Sequence, residues 1–353
     1  MNITYREFGK IGDQDILEFC LENANGLKLK ALNYGAIVTA IEMKNREGKK
    51  ENISLGFDNL DDYLNFSPYF GAHVGRVAGR LATGKFKIDD NTYEVVRNEG
   101  DNHLHGGFDN FSKVIWKVET KIQDNCPSLI FRYTSSSGEN GYPGTLKATT
   151  TYTLTNEDEW VIDYYAETDE PTLYNPTNHI YFNLTGSVKE TVLDHLLFIN
   201  SNAYVPISDK ALPIGTILPS AGSVFDLTKP TPIRKGVESD DEQIAVANQG
   251  YDHAFLLSHK EGLPDAILSE ERSGRTVYMY TDADSVVVYS GNKLKGNFFI
   301  GDYPTVKYSG VTLETQALPD AIHHRGFGNI ILRPEKPFSS KTTFRFRVLS
   351  KQY

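Results

Sequence analysis

The sequence predicts an all-β protein: a large antiparallel β-sandwich with few short helices. Three observations carry that expectation. Alternation of apolar and polar residues recurs from one end of the chain to the other. The 20 Tyr and 19 Phe far outnumber the 3 Met and 2 Cys, a balance that favours pleated sheets over helix bundles. No repeat, low-complexity tract or linker interrupts the 353 residues, so residues 1–353 are expected to form a single domain.

The elements follow in chain order. Leu27, Leu29 and Ala31 alternate with Lys28 and Lys30, which predicts a half-buried strand. Gly35 punctuates, and a second strand is expected over Ala36 to Ile41. A short helical turn is expected from Asn59 to Leu64, with Asp58 or Asn59 as its cap. The Gly-rich stretch Phe70 to Arg80 leads into a hairpin, Gly84–Ile88 and Thr92–Val96, turned by Asp89-Asp90-Asn91. Thr149, Thr151 and Thr153 alternate with Thr150, Tyr152 and Leu154. After Asn156-Glu157-Asp158, Trp160, Ile162, Tyr164 and Ala166 alternate with Val161, Asp163 and Tyr165, so a long antiparallel hairpin is expected. Ser239 to Ala247 reads as a short helix. Val277–Tyr280, Val286–Tyr289 and Phe344–Val348 read as strands.

Composition narrows the function. The net charge of -10, from 46 acidic and 36 basic side chains, argues against nucleic acid or an anionic membrane as partner. Two Cys give no disulfide framework and suit a reducing compartment. Met1 to Glu7 lacks a signal-peptide core, and no apolar run reaches membrane-span length. A soluble, cytoplasmic protein is expected, as monomer or homodimer.

Four stretches hold residues suited to chemistry. In Thr177-Asn178-His179-Ile180-Tyr181-Phe182, a strand sets His179 and Tyr181 on one face and Ile180 and Phe182 on the other. A core His is the plain alternative. In Asn102-His103-Leu104-His105-Gly106-Gly107, a strand would put both His on one face, as two metal ligands or as part of a polar loop. In Val311-Thr312-Leu313-Glu314-Thr315-Gln316, Leu313 anchors one face while Thr312, Glu314 and Gln316 line the other, either as a site or as an exposed sheet face. Gly250-Tyr251-Asp252-His253 places an Asp before an apolar strand, as a site residue or an Asx turn. No phosphate loop, zinc Cys cluster or nucleophile elbow appears, which leaves acid–base work by Glu and His.

Together and in order, these stretches resemble the aldose 1-epimerase (galactose mutarotase) family. The resemblance rests on Gly75-Arg76-Val77-Ala78-Gly79-Arg80, Leu104-His105-Gly106-Gly107, Thr177 to Leu184, Tyr251-Asp252-His253 and Leu313-Glu314-Thr315-Gln316. Glu139 to Gly144 and Tyr289-Ser290-Gly291-Asn292 add to it. It implies that family's supersandwich fold, Glu314 as general base and His179 as general acid. It also implies that Arg80, His105 and Asp252 hold sugar hydroxyls, with Tyr181 nearby. No cofactor and no metal is implied, and the partner is a small aldohexose such as galactose or glucose. The family often has Asn where this chain has Gly79, and Gln where it has Val287.

Anomer interconversion needs a base for the anomeric hydroxyl and an acid for the ring oxygen. With ordinary pKa values of about 4.3 and about 6.5, Glu is expected to be ionised and His available as the acid. A hexose-6-phosphate 1-epimerase is the nearest alternative, with Arg76, Arg325 and Arg333 as candidate phosphate ligands. A glycoside hydrolase using Glu314 and Asp252 and a non-catalytic sugar-binding module are the others.

Overall fold

A computed structural model describes residues 1–350. Its largest element is a nine-stranded antiparallel sheet. At its centre the hairpin Leu146–Leu154 and Glu159–Thr168 pairs with the closing strand Phe338–Val348, and beyond that with Arg275–Thr281. A six-stranded sheet runs in the order Tyr181–Phe182, Val311–Gln316, Ser285–Tyr289, Asp252–Leu256, Ala203–Val205 and Leu218–Pro219. A five-stranded sheet covers the first part of the chain, from Asn2–Ile11 to Lys50–Asn52. The expected all-β architecture holds.

Alternation explains why these sheets pack. Trp160, Ile162, Tyr164 and Ala166 are all buried on one face of their strand. They share one apolar cluster with Phe182, Phe255, Val286, Val288 and Leu313 from the six-stranded sheet and with Leu21, Leu29 and Ile41 from the five-stranded one. Phe182 meets Phe344 with ring centroids 5.3 Å apart, tying the two larger sheets together. Burying such side chains contributes roughly 1.5–3 kcal/mol each before the entropy of ordering is charged.

Details depart from the sequence reading. The strand expected from Ala36 begins at Val38, because Ala36 sits at φ +45° in a turn closed by Gly35. The strands Arg275–Thr281 and Ser285–Tyr289 are joined by a tight turn yet belong to different sheets. The first short helix is Leu60–Asn65, capped by the Asn59 side chain, which accepts from the Asp62 N–H. The second expected helix is Glu242–Val246, capped by Asp241. A third, Ile233–Val237, lacked a cap signal; it forms because Ile233 and Val237 are buried in the main cluster. Among the described residues no helix is long and apolar enough to cross a membrane.

Candidate active site

The six-stranded sheet has two faces. One carries Leu313, Val286, Val288 and Phe255 into the shared core. The other forms the floor of a cavity of about 230 Å³. Register sets out that floor in rows. Tyr181, Thr312, Tyr289 and Asp252 lie abreast across four strands. One step along, Glu314, Val287, Ala254 and Val205 lie abreast, and Gln316 stands one step further beside Ser285. Arg80, His105, His179, Tyr181, Asp252 and Glu314 all line this one cavity.

His179 follows the short strand Thr177–Asn178 and precedes Tyr181–Phe182. Its backbone N–H donates to the Ala72 carbonyl and its carbonyl accepts from Gly71, so the main chain on both sides is fixed. Ile180 and Phe182 point into the core, as alternation predicts. His179 Nε2 lies 3.4 Å from Glu314 Oε1. The two residues are only 5% and 3% exposed, so neither charge is solvated.

That burial overturns the expected protonation states. Glu314 is pushed up to about 8, chiefly by burial and also by Asp252, against the Thr312 hydrogen bond and the field of Arg80. His179 is pushed down to about 4, again chiefly by burial. Both shifts favour a neutral carboxylic acid beside a neutral imidazole at neutral pH. The pair still holds one transferable proton, the same count as carboxylate plus imidazolium.

The walls come from the first third of the chain. Arg80 starts a two-residue strand paired with His103–Leu104. Its guanidinium grips Glu99 in a two-point ion pair at 2.5 and 2.7 Å. Burial opposes the Arg80 charge, but Glu99 and Asp252 outweigh burial and raise its pKa. At the far end Asp252 Oδ2 meets Lys293 Nζ at 3.2 Å. Burial also opposes the Asp252 charge, yet Lys293 and Arg80 hold the carboxyl below its ordinary value. The Tyr181 hydroxyl donates to the Pro68 carbonyl, which leaves its ring to face the cavity.

The two histidines of the His-x-His stretch do not share a face. His105 takes φ +50°, which breaks the strand after Leu104. The turn behind it brings chain against chain: a Cβ on Gly106, at φ +88°, would stand 1.8 Å from the Gly75 carbonyl oxygen. His103 is turned inward, with Nδ1 2.6 Å from the Val96 carbonyl and Nε2 2.7 Å from the Tyr142 hydroxyl. His105 enters the cavity instead, where Nδ1 accepts from the Gly79 N–H and the ring packs 4.7 Å from Tyr69 and 5.3 Å from His179. Ligand atoms of His105, His179 and Glu314 lie within 4.8 Å of one another, a spacing that also suits a metal ion.

The three arginines named for a phosphate stand elsewhere. Arg76 is buried and saturated by the carbonyls of Ser135, Ser136, Pro143 and Gly144 and the hydroxyls of Ser135 and Thr172. Arg333 pairs with Asp89 at the surface. Arg325 is exposed and outside the cavity lining. Sequence reasoning passed over Tyr69, Glu99, Tyr289 and Lys293, which also line the cavity. Tyr289 opens the Tyr-Ser-Gly-Asn stretch of the family resemblance and Lys293 follows it directly, the one available signal for them.

Comparison with known proteins agrees with this architecture. The family model described as Aldose 1-epimerase matches residues 18–345. The chain is 38% identical to a galactose mutarotase of Rattus norvegicus over 99% of both chains. It is 32% identical to an aldose 1-epimerase of Escherichia coli, covering 92% of this chain and 94% of that one. The crystal structure of a galactose 1-epimerase from Lactobacillus acidophilus superposes with a TM-score of 0.88 at 30% identity, over 98% of both chains.

Proposed function

The chain belongs to the aldose 1-epimerase family, and from that premise we propose which of its groups carry the interconversion of α and β anomers. The enzyme is an isomerase. The observation that carries the assignment of roles is the buried pair His179–Glu314, 3.4 Å apart and open to a cavity lined with hydrogen-bonding side chains.

The reaction begins from the carboxylate–imidazolium form of the pair. Glu314 takes the proton of the anomeric hydroxyl. The bond between C1 and the ring oxygen breaks, its electrons pass to that oxygen, and His179 protonates it. The open aldehyde turns about C1–C2. On reclosure the ring hydroxyl returns its proton to His179, and Glu314 protonates the new anomeric oxygen. The pair ends as it began, so protons balance without an outside donor. Positioned acid–base groups of this kind typically contribute about 10²–10⁴-fold.

Arg80, His105 and Asp252 are read as holding the sugar hydroxyls, with the Tyr181 ring beneath. The substrate class is a free aldohexose, with galactose and glucose first to test. Charge supports the free sugar over its phosphate. Arg80 is committed to Glu99 and Lys293 to Asp252, so the cavity's cations are already paired. The apolar core shared by the three sheets supports reading the chain as one domain.

Polarimetry tests the reading. Freshly dissolved α-D-galactose and α-D-glucose are expected to relax faster with the folded protein and no added cofactor. An unchanged relaxation rate refutes it. The spacing of His105, His179 and Glu314 also admits a metal-assisted route, and chelation separates the two. Full activity after exhaustive chelation is expected; its loss would favour the metal.

A further inference from the structure

We propose that Gln316 is a further substrate-binding residue, whose side-chain amide takes one ring hydroxyl of the aldose and helps set which aldoses are accepted. The inference rests on the reading of the cavity as an aldose site.

Gln316 is 2% exposed and lines the cavity on the same strand face as Glu314, two residues on. Its amide oxygen has no hydrogen-bond partner among the described residues. Its backbone carbonyl, by contrast, accepts from the Ser285 hydroxyl at 2.8 Å. A buried polar group left unpaired costs on the order of 1–3 kcal/mol. Arg80 has Glu99 as partner, Asp252 has Lys293, and the Tyr181 hydroxyl has the Pro68 carbonyl. Among the described residues lining the cavity, the Gln316 amide oxygen and His179 Nδ1 are the buried polar atoms without a partner, and His179 already has a role in the proposed proton transfer.

The space beside it is kept open. A Cβ on Gly79 would stand 3.8 Å from the Gln316 amide oxygen and 3.2 Å from Pro319 Cβ, at φ +71°. A side chain there would crowd this corner and strain the backbone. Val287 and Ala254, abreast of Glu314, offer no hydrogen bond. A hydroxyl at this end of the cavity therefore meets the Gln316 amide, which can both accept from it and donate to it.

The experiment compares wild type with Gln316→Met, unbranched and of similar length, on galactose and on the analogues lacking one hydroxyl each at C2, C3, C4 or C6. On galactose Gln316→Met is expected to lose about tenfold in kcat/KM, the scale of one buried neutral hydrogen bond. Against one analogue that loss should vanish, because the partner is already gone, while the other analogues keep it. An equal loss on every sugar, or no loss, overturns the proposal. If Gln316→Met does not fold, Gln316→Leu, which also removes the amide, carries the same comparison. If wild type does not speed relaxation, the epimerase reading fails, and calorimetric titration of the same sugars still decides on Gln316. Identical analogue selectivity in wild type and variant, including no measurable binding to either, then overturns its role.

Discussion

Burial at Glu314 and His179 opposes the charges that acid–base chemistry uses. Glu314 is raised to about 8 and His179 lowered to about 4, so the working ion pair is a minor form of a one-proton dyad. The pH profile of kcat/KM follows from the proton count. A second proton enters near pH 4 and the single proton leaves near pH 8, so a plateau bounded by those limbs is expected. A profile with a single limb between them would contradict a shared proton. Stability moves with the same groups. The folded-state pKa of Glu314 lies above its ordinary 4.5, so stability is lost as pH rises from there toward about 8. Glu314→Gln removes that loss and is expected to stabilise the fold at pH 7, on the order of 3 kcal/mol, with no gain near pH 4. The same change should lower kcat by orders of magnitude, as should His179→Asn. The double variant should be little worse than either, since both groups serve one transition state. Urea denaturation at the two pH values and polarimetry check the set; a less stable Glu314→Gln at pH 7 would show that protein contacts more than compensate the buried carboxylate charge.

Glu314 stands inside a strand and His179 in the two-residue gap between two short ones, and each of these two proposed reacting groups has an apolar anchor one residue away. Leu313 lies in the core beneath Glu314, as Ile180 does beside His179. Leu313→Ala is expected to cost about 2–5 kcal/mol in urea denaturation and to reduce kcat as well, because it loosens the strand that aims the carboxylate. A loss of stability with kcat untouched would detach the anchor from the site. The same period of two made these elements legible in the sequence, since alternation alone set His179 with Tyr181 and Glu314 with Gln316. It failed where the period breaks. His105 leaves the strand through a positive φ that no neighbouring residue signals except the glycines after it. Glu99, Tyr69 and Lys293 reach the cavity from loops, and Lys293 meets Asp252 across 41 positions of chain. Such contacts have no local period to read. The Arg76 of the Gly-rich stretch was visible as a residue but not as a buried tie between loops, because its partners are mostly carbonyls.

Across the whole molecule, charge bears on the choice between a free sugar and its phosphate. The net charge is -10, and both cations lining the cavity are paired with carboxylates. A neutral hexose feels no long-range field from such a surface, whereas a dianionic phosphate is repelled from it. Salt separates the two cases, because screening shortens the reach of the field to about 8 Å at physiological ionic strength. The kcat/KM for galactose is therefore expected to be nearly independent of added sodium chloride. For galactose 6-phosphate it is expected to be lower at low salt and to climb as salt is added. The comparison is made by polarimetry at fixed pH, in matched buffers from low to physiological ionic strength. A phosphate ester preferred at low salt, with a rate that falls on adding salt, would require a cationic contact strong enough to draw Lys293 from Asp252 or Arg80 from Glu99. That outcome would move the chain from free aldoses to their phosphates while leaving the acid–base pair in place.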